Sequence, residues 1–525
     1  MFFKIKILDG EYFWGGDVNS GYDMPICKDS TYNRDFRYHA HNQFMPLFIS
    51  SKGRYVWSET GFKVWIENGE LCFEGDSDFE LYEGGTCLRD AYLDAMNKHF
   101  PFEETRKQGK TLPREFFKSA QFNCWTEFDY EPTQEKILEY AHGIIDNGFE
   151  PGILMIDEGW HTRYGQWKFD LHKFPDPKAM IDELHDLGFI VMLWVTPYVT
   201  ADGVDFCKAT RDVFSPDTYD KQFLRNKEGE VAIVKWWNGN SAILDLRKEC
   251  DRRYLNDRLE FLMKEYGVDG FKCDGGDYDS YARENIINGT PADDHDQLAL
   301  NQAWNEFGSR FKYHEYKDTY KGGGKPVIQR LCDREHSWTT SGILALMPCA
   351  ILQGLFGYPF ICPDMIGGGS WIDKYLPDFK IDEELFIRMA QCSALFPMMQ
   401  FSLMPWKHLS KEAFDIVMDA YKLHIKLSHM IISEVENAEK TGEPILRSLE
   451  YNYPNKGYAT ITDQFMIGEE ILVCPINTKG AFKKEIIFPE GEWQDENGSK
   501  YKGDSRILLD TPLNKLLWFK KININ

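Results

Sequence analysis

The pattern of apolar and polar positions divides the chain into three parts. Up to residue 115, short alternating segments such as residues 61–67 are separated by Asn-Gly, Gly-Asp and Gly-Gly pairs, which is typical of a β-sandwich. Between residues 116 and 427, apolar segments alternate with long amphipathic ones, and from residue 428 short apolar segments such as 464–468 and 471–475 return. We therefore predict an N-terminal β-sandwich (1–115), a strand–helix domain (116–427) and a C-terminal β-sandwich (428–525).

The middle part repeats one structural unit, a buried strand followed by a helix. Thr133 is a plausible N-cap for the first helix, whose apolar positions fall on one face, and Gly148 is a plausible stop. The predicted strands are residues 121–125, 152–157, 189–195 and 268–274. The predicted helices are residues 134–147, 177–187 and 248–266. Repeated strand–helix units indicate a parallel α/β fold, and a (β/α)8 TIM barrel fits best.

Four apolar segments of this domain end on an aspartate, namely Asp157, Asp274, Asp333 and Asp364. Barrel enzymes place their chemistry at the C-terminal ends of the strands, and the two glycines after Asp274 allow a sharp turn there. Any one such aspartate could be an ordinary cap or turn residue. Four of them are hard to explain by capping, because their mutual repulsion has to be compensated. Two strand-end carboxylates, Asp274 and Asp333, suggest glycoside hydrolysis.

A metal-dependent barrel enzyme is a rival interpretation, since it would also place acids at strand ends. Residues 274–279 superficially resemble a calcium loop, but their acids occupy positions 1, 4 and 6 and position 12 carries no glutamate. Metal enzymes of this kind usually add a His-x-His pair or a lysine base, and residues 116–427 contain no such histidine pair. We therefore expect neither a metal nor another cofactor.

Charge and composition narrow the class of partner. The chain has 60 basic and 83 acidic residues, a formal net charge of −23, which repels phosphate backbones and anionic membranes. No segment reaches the 18 apolar residues that a membrane span requires. The 15% aromatic content mildly favours a carbohydrate site, because aromatic faces stack on sugar rings. We expect no nucleic-acid partner and no membrane partner, and the sequence leaves a homo-oligomer open.

The cysteines and the N-terminus bear on the compartment. The 12 cysteines lack metal-ligand spacing, and several lie inside apolar segments, among them Cys273, Cys362 and Cys474. Such residues are typical of buried free thiols in a reducing environment. Residues 1–6 are too short and too charged for a signal peptide. We therefore expect a cytoplasmic protein.

Several motifs, in the same order along the chain, resemble glycoside hydrolase family 31. They are residues 167–170, 174–177, 192–197, 333–338, 357–360 and 468–475. The resemblance spans nearly the whole chain. It implies a barrel flanked by β-sandwiches and a retaining α-glycosidase that acts on an α-linked oligosaccharide or glycoside. By motif position it also implies that Asp274 is the nucleophile and Asp333 the acid/base.

The chain departs from the pattern of the family's common α-glucosidases. Residues 271–277 replace a Trp-x-Asp-Met-Asn-Glu motif, and residues 399–402 stand where those enzymes carry an Arg-x-His that contacts the sugar. Together with Trp237, these departures resemble the branch that contains bacterial α-galactosidases, where a matching tryptophan shapes the galactose subsite. Lys317 stands where a sugar-contacting arginine is expected. We expect an exo-acting α-galactosidase. An α-glucosidase, an α-xylosidase, an α-N-acetylgalactosaminidase and a catalytically inactive sugar-binding homologue stay open.

Charged side chains near the two catalytic candidates complete the predicted site. Strand alternation places Lys272 on the same face as Asp274, where it would keep the nucleophile ionised and contact a hydroxyl. The same alternation turns Arg330 away from Asp333, so a structural salt bridge is as good an interpretation as a site contact. Asp157 and Asp364 are expected to accept hydrogen bonds from sugar hydroxyls.

Two aromatic residues and one acid from the N-terminal part are further candidates. Trp194 and Trp237 are expected to form walls of the sugar site, although Trp194 could equally be a core residue. Trp237 lies in a loop-like segment, residues 235–239. Residues 14–17 resemble a family loop that reaches the active site, which makes Asp17 a candidate sugar contact.

Overall fold

The computed structural model describes residues 1–100, 102–204, 206–207, 222–370 and 380–522. The chain forms two compact units, which are described separately. The first unit comprises Met1–Arg37, Gln43–Gln121 and Lys321–Asn525, and the second unit comprises Tyr38–Asn42 and Phe122–Tyr320.

The second unit contains a parallel sheet built from the strand–helix repeats that the sequence predicts. Its neighbouring strands, in spatial order, are Tyr313–Tyr316, Gly270–Cys273, Ile190–Val195, Ile153–Ile156 and Gln121–Asn123. Its helices are Trp125–Phe128, Gln134–Asp146, Pro177–Asp186, Glu249–Phe261 with a π-helical turn at Leu262–Tyr266, and Gln297–Gly308. All of these neighbouring strands run parallel, so their C-terminal ends lie on one edge of the sheet.

The helix Gln134–Asp146 shows why these repeats are predictable. The Lys136 N–H donates to Thr133 Oγ1 at 3.3 Å, so Thr133 is the N-cap. Gly148 has φ +85°, a left-handed conformation that ends the helix at little cost. The apolar stripe, which includes Ile137 and Ile144, is buried. The cap, the stop and the periodicity are all local signals in the sequence. The observed helix confirms the prediction that they gave.

The second unit also contains a three-stranded antiparallel sheet that the sequence pattern did not reveal. Its strands, in spatial order, are Tyr198–Thr200, Gly239–Ile243 and Ile233–Trp236. Two short 3₁₀ helices, Tyr278–Tyr281 and Arg283–Asn285, follow the Gly270–Cys273 strand, and a two-residue strand, Thr319–Tyr320, closes the unit. Trp237 therefore sits on a hairpin turn rather than in an irregular loop.

In the first unit, the N-terminal part contains two antiparallel sheets, as the sequence predicts. One pairs the strands Phe2–Lys6, Glu70–Gly75, Phe62–Glu67 and Asn33–Asp35. The other pairs the strands Phe13–Asp17, Gln43–Ser50, Arg54–Ser58 and Phe79–Glu83. A 3₁₀ helix, Val18–Asp23, and the helices Leu88–His99, Phe102–Gln108 and Glu115–Lys118 complete this part. The β pattern therefore ends near residue 83, well before the predicted boundary at 115.

The middle of the first unit carries short parallel strands and long helices. The strands pair as Gln329–Arg330 with Ile361–Cys362 and as Met365–Ile366 with Gln400–Phe401. The helices are Ile343–Leu355, Glu383–Ser393, Pro405–His408, Lys411–Thr441 and Leu449–Asn452. The helix Lys411–Thr441 runs through the boundary predicted at residue 428, and we propose that the C-terminal sheets begin at Leu446.

The C-terminal part of the first unit has a six-stranded and a two-stranded antiparallel sheet. The six strands, in spatial order, are Leu446–Arg447, Phe465–Ile467, Ile471–Cys474, Leu517–Ile522, Glu492–Gln494 and Lys500–Lys502. The two strands are Lys483–Phe488 and Ser505–Asp510. Trp493, Phe488 and Phe519 form its buried core.

All twelve cysteines are free thiols, and most are buried. No helix within the described residues has both the length and the apolar character that a bilayer crossing demands.

Candidate active site

Asp274 follows the strand Gly270–Cys273 and is held by four groups of the second unit. Its backbone N–H donates to the Val195 carbonyl at 2.9 Å, which extends the strand pairing to the carboxylate itself. The Trp194 indole N–H donates to Oδ2 and the Gly275 N–H to Oδ1, both at 2.9 Å. Lys317 Nζ lies 3.2 Å from Oδ1, and the side chain is 12% exposed. Two hydrogen-bond donors and a cation favour the ionised carboxylate.

The turn behind Asp274 requires its two glycines. Gly275 and Gly276 have φ of +57° and +61°, a region that L side chains rarely adopt. A Cβ on Gly275 would lie 2.8 Å from the Tyr198 ring, and one on Gly276 would lie 2.7 Å from the Trp304 ring. Substitution there would therefore displace the backbone that supports the carboxylate.

Lys272 and Asp157 form a buried ion pair beside this carboxylate. Lys272 Nζ lies 2.5 Å from Asp157 Oδ2, and both side chains are almost fully buried. Asp157 Oδ1 accepts the Glu158 N–H at 2.8 Å. The ion pair shown for Asp274 is with Lys317, whereas Lys272 pairs with the neighbouring acid. A carboxylate has about four acceptor sites, so Asp157 has the capacity to accept a sugar hydroxyl as well. That contact stays a prediction.

The two candidate tryptophans differ in exposure. Trp194 is buried and stacks on His161, with ring centres 6.0 Å apart, yet its N–H reaches Asp274. Trp194 is therefore both a core residue and a contact of the carboxylate. Trp237 is 49% exposed, and Lys317 Nζ lies 5.3 Å from its ring centre. Its indole is available as a wall.

Glu158 is a site residue that the sequence argument left out. The residue is 3% exposed, and its Oε1 accepts hydrogen bonds from the Tyr164 hydroxyl at 2.6 Å and from the Asn238 amide at 2.5 Å. Burial raises the pKa of Glu158 to about 8, and the charges of Asp157 and Asp274 add to this effect against the hydrogen bonds that lower it. The only signal in the sequence was its position directly after a strand-end aspartate.

Replacing Glu158 with glutamine is expected to stabilise the protein increasingly as the pH rises. The folded pKa of about 8 lies above the ordinary 4.5, so between these pH values the folded protein binds one more proton than the unfolded chain. Stability therefore falls with rising pH through this window, by at most about 1.4 kcal/mol per pH unit. Thermal unfolding midpoints of both proteins at pH 5, 6, 7 and 8 test this. A pH-independent difference would contradict the buried neutral acid.

In the first unit, Arg330 binds two candidate acids at once. Its Nη1 donates to Asp333 Oδ1 at 2.5 Å and to Asp364 Oδ1 at 2.7 Å. Arg330 and Asp364 are buried, whereas the Asp333 side chain is 39% exposed. The prediction that Arg330 points away from Asp333 was wrong, because the strand contains only Gln329–Arg330 and the alternation does not extend to Asp333. The salt bridge that was the alternative interpretation is present.

Asp364 sits in a strained backbone position at the centre of this ion cluster. Its φ is +85°, and its Oδ2 accepts the Arg334 N–H at 2.7 Å. Burial raises the pKa of Asp364 to about 6, Arg330 opposes this, and Asp333 adds to it. Non-glycine residues held at positive φ cluster at functional sites, so this backbone conformation is consistent with a site role for Asp364.

Asp17 has a structural role that the sequence argument did not foresee. It caps the 3₁₀ helix Val18–Asp23, and its Oδ1 accepts the Ser20 N–H at 2.8 Å. That helix packs closely on Ile343–Leu355, because a Cβ on Gly21 would lie 2.7 Å from Cys349 Cα. A sugar contact of Asp17 stays a prediction.

His39 and His41 form a His-x-His pair near the N-terminus, and their Nδ1 atoms lie 3.6 and 3.3 Å from the Asp279 carboxylate. Within the described residues, no group of three or more His, Cys, Asp or Glu side chains is arranged to hold a metal ion.

Parallel strand–helix repeats with acids at the strand ends are typical of barrel enzymes. Comparison with known proteins identifies the family. Residues 115–431 match the Glycosyl hydrolases family 31 TIM-barrel domain, and residues 442–523 match the Glycosyl hydrolase family 31 C-terminal domain. The chain therefore belongs to glycosyl hydrolase family 31. This confirms the resemblance stated from the sequence and the fold class, a TIM barrel with flanking β-sandwich-like sheets.

Known relatives differ in their specificity. The chain is 28% identical over 427 residues to the myogenesis-regulating glycosidase of Mus musculus, covering 80% of this chain and 58% of that protein. It is 26% identical over 481 residues to an α-xylosidase of Lactiplantibacillus pentosus, covering 86% and 58%. A Flavobacterium johnsoniae GH31 dextranase solved with glucose superposes with a TM-score of 0.82 at 21% identity, covering 99% of this chain and 66% of that one. The chain thus spans less than two thirds of each relative.

Proposed function

We propose that this chain is a retaining α-glycoside hydrolase, specifically an exo-acting α-galactosidase that works by double displacement. The observation that carries the proposal is the environment of Asp274. Two N–H donors and the Lys317 ammonium surround its carboxylate. A glycosidase nucleophile has to be ionised before it attacks, and this environment favours that form.

In the proposed reaction, Asp274 attacks the anomeric carbon while Asp333 protonates the departing oxygen. The bond from the sugar to the leaving oxygen breaks, and a covalent glycosyl-aspartate forms. Asp333 then removes a proton from water, which attacks the same carbon and releases Asp274. The partial exposure of Asp333 supports this role, because the group has to meet both the leaving oxygen and water.

Asp333 has to alternate between two protonation states, and its neighbours in the first unit bear on both. The Arg330 guanidinium stabilises the carboxylate form, which suits the base step. Asp364 shares the same guanidinium, and its negative charge favours the protonated form that the acid step requires. We propose that Arg330 and Asp364 together tune Asp333.

The remaining candidates are proposed to bind the sugar. Asp157 and Asp364 would accept hydroxyl hydrogen bonds, and Asp17 is a further candidate acceptor. Lys272 and Lys317 would donate to hydroxyl oxygens while neutralising Asp157 and Asp274. Free thiols at all twelve cysteines support a reducing, cytoplasmic location as part of the proposal.

The preference for galactose is proposed from Trp237. Galactose differs from glucose by an axial 4-hydroxyl, which leaves one face of the ring apolar. The exposed indole of Trp237 offers a flat surface to that face. A site built around a buried hydroxyl contact discriminates strongly against an isomer that cannot make it, so the preference should be large.

A panel of 4-nitrophenyl α-glycosides tests the specificity. We expect kcat/KM for the α-galactoside to exceed that for the α-glucoside by at least about 100-fold, with or without a chelator. Trp237→Ala should lose most of this preference, because the apolar wall is removed. Lys235→Ala, an exposed change in the same hairpin, is the matched control and should keep it.

Each other result of the panel assigns a different function. Efficient cleavage of maltose or of the α-glucoside would refute the galactose proposal and indicate an α-glucosidase. A preference for the α-xyloside, as the relative from Lactiplantibacillus pentosus suggests by its name, or for the N-acetylgalactosaminide would do the same for those sugars. Chelator-sensitive activity would indicate a metal enzyme. Binding without any turnover would indicate an inactive sugar-binding homologue.

A further inference from the structure

The turn that carries Trp237 lacks tight packing of its own. Trp237 and Asn238 form a two-residue turn between the strands Ile233–Trp236 and Gly239–Ile243, in which Trp236 pairs with Gly239. Half of the Trp237 side chain is exposed. Core contacts therefore fix the indole only in part, and its orientation depends on how the turn is held.

Glu158 holds this turn from the inside. Its Oε1 accepts hydrogen bonds from Asn238 Nδ2 at 2.5 Å and from the Tyr164 hydroxyl at 2.6 Å. The other end of the Asn238 amide accepts the Tyr130 hydroxyl at 3.0 Å. Both ends of the amide are engaged, so its orientation is fixed.

Glu158 is attached to the strand ends that carry the chemistry. It follows Asp157, whose carboxylate pairs with Lys272, two residues before Asp274. On the other side, Lys317 lies 3.2 Å from Asp274 and 5.3 Å from the Trp237 ring centre. Glu158 thus holds the residue next to Trp237, and the indole lies beside Lys317, which pairs with the proposed nucleophile.

The charges of the surroundings are compatible with a neutral Glu158. Asp157 and Asp274 each have a lysine partner in the second unit, whereas the Glu158 carboxyl accepts hydrogen bonds from the neutral groups of Tyr164 and Asn238. A neutral carboxyl group accepts these hydrogen bonds without adding a third negative charge beside the two aspartates.

We propose that Glu158 is a positioning residue for sugar specificity, which fixes the Trp237–Asn238 turn so that the indole meets the apolar face of the sugar beside Asp274. This inference rests on the proposed function, because it assigns Glu158 to the same sugar site. The substrates concerned are α-glycosides whose sugar has one apolar face, α-galactosides first. If Glu158 only filled the core, its loss would lower stability without changing which sugar is preferred.

Three variants separate these roles. Glu158→Leu removes the acceptor, Asn238→Ala breaks the same link from the turn, and Glu158→Gln keeps a neutral acceptor. For 4-nitrophenyl α-galactoside, we expect the first two to raise KM by about tenfold or more with kcat within about threefold. In both variants, the ratio of kcat/KM for the α-galactoside to kcat/KM for the α-glucoside should fall to nearly the value in Trp237→Ala. Glu158→Gln should stay within about threefold of wild type in both constants.

A double-mutant comparison tests whether Glu158 acts through Trp237. In a Trp237→Ala background, Glu158→Leu should change KM by less than about twofold, since the group it positions is gone. If the two effects multiply instead, Glu158 acts elsewhere and the proposal is overturned. Equal defects in Glu158→Gln and Glu158→Leu would overturn it as well.

Hydrogen exchange tests the positioning without any substrate. In a peptide covering residues 233–243, Glu158→Leu and Asn238→Ala should exchange about tenfold faster than wild type, and Glu158→Gln at the wild-type rate. A peptide covering Ile190–Val195 serves as the control for intact folding. Unchanged exchange in Glu158→Leu refutes the positioning, whatever the activity. If exchange is faster in the variants but the protein hydrolyses no glycoside, the positioning stands. Only the proposed function, and the sugar role that depends on it, are then refuted.

Discussion

Asp274→Ala is expected to lower kcat for 4-nitrophenyl α-galactoside by at least about 10⁴-fold while the protein stays folded. The loss is large because the covalent intermediate can no longer form. Folding should survive because Lys317 keeps a second partner, Asp277 Oδ2 at 3.7 Å, so no cation is left uncompensated. Steady-state kinetics together with a thermal unfolding midpoint measure both effects.

Added azide should then restore turnover in this variant. The anion occupies the space that the carboxylate leaves, close to the donors from Trp194 and Lys317, and attacks the anomeric carbon from the nucleophile's side. The product is a glycosyl azide of inverted configuration, which NMR identifies. Asp269→Asn is the matched control, because Asp269 directly precedes the same strand. Its Oδ2 accepts the Val191 N–H at 2.8 Å, and an asparagine oxygen can accept the same hydrogen bond, so activity should persist. An azide product of retained configuration would remove Asp274 from the nucleophile role.

Local signals in the sequence predicted the elements that position Asp274. The helix Gln134–Asp146 has its cap, stop and apolar stripe within its own residues, and the strand Gly270–Cys273 is a continuous buried segment before two glycines. The apolar segment that ends on Asp333 was also predicted from the sequence, but its strand contains only Gln329–Arg330. Its length is set by pairing with Ile361–Cys362, which the local sequence does not encode.

The strand-end aspartates could be proposed as site residues from their type and position in the sequence, and their roles stay predictions. Glu158 was missed because its hydrogen-bond partners come from Tyr164 and Asn238, which only the fold brings together. The hairpin behind Trp237 was missed for the same reason. The direction of the Arg330 side chain was predicted wrongly, because two strand residues cannot carry a regular alternation to Asp333.

Asp333→Ala is expected to affect substrates according to their leaving groups. An α-linked disaccharide releases a poor leaving group that needs a proton, so kcat/KM for melibiose should fall by about 10³–10⁴-fold. 4-Nitrophenolate leaves with little protonation, so kcat/KM for the aryl α-galactoside should fall by less than about 100-fold. Folding should survive, because Arg330 keeps its ion pair with Asp364 at 2.7 Å and is not left as an unpaired buried charge.

The same variant separates the two proposed roles of Asp333, the acid in the first step and the base in the second. With the aryl substrate, loss of the base should make breakdown of the glycosyl-aspartate slow, so a burst of 4-nitrophenolate should precede a slow steady state. Azide should speed that second step, since it needs no base. Glu335→Ala, which removes an exposed acid two residues further along the same loop, is the control. It should leave kcat/KM for both substrates unchanged and should show no burst. Equal losses on melibiose and on the aryl substrate would mean that the proton comes from another residue, since only a proton donor couples its loss to the basicity of the leaving group.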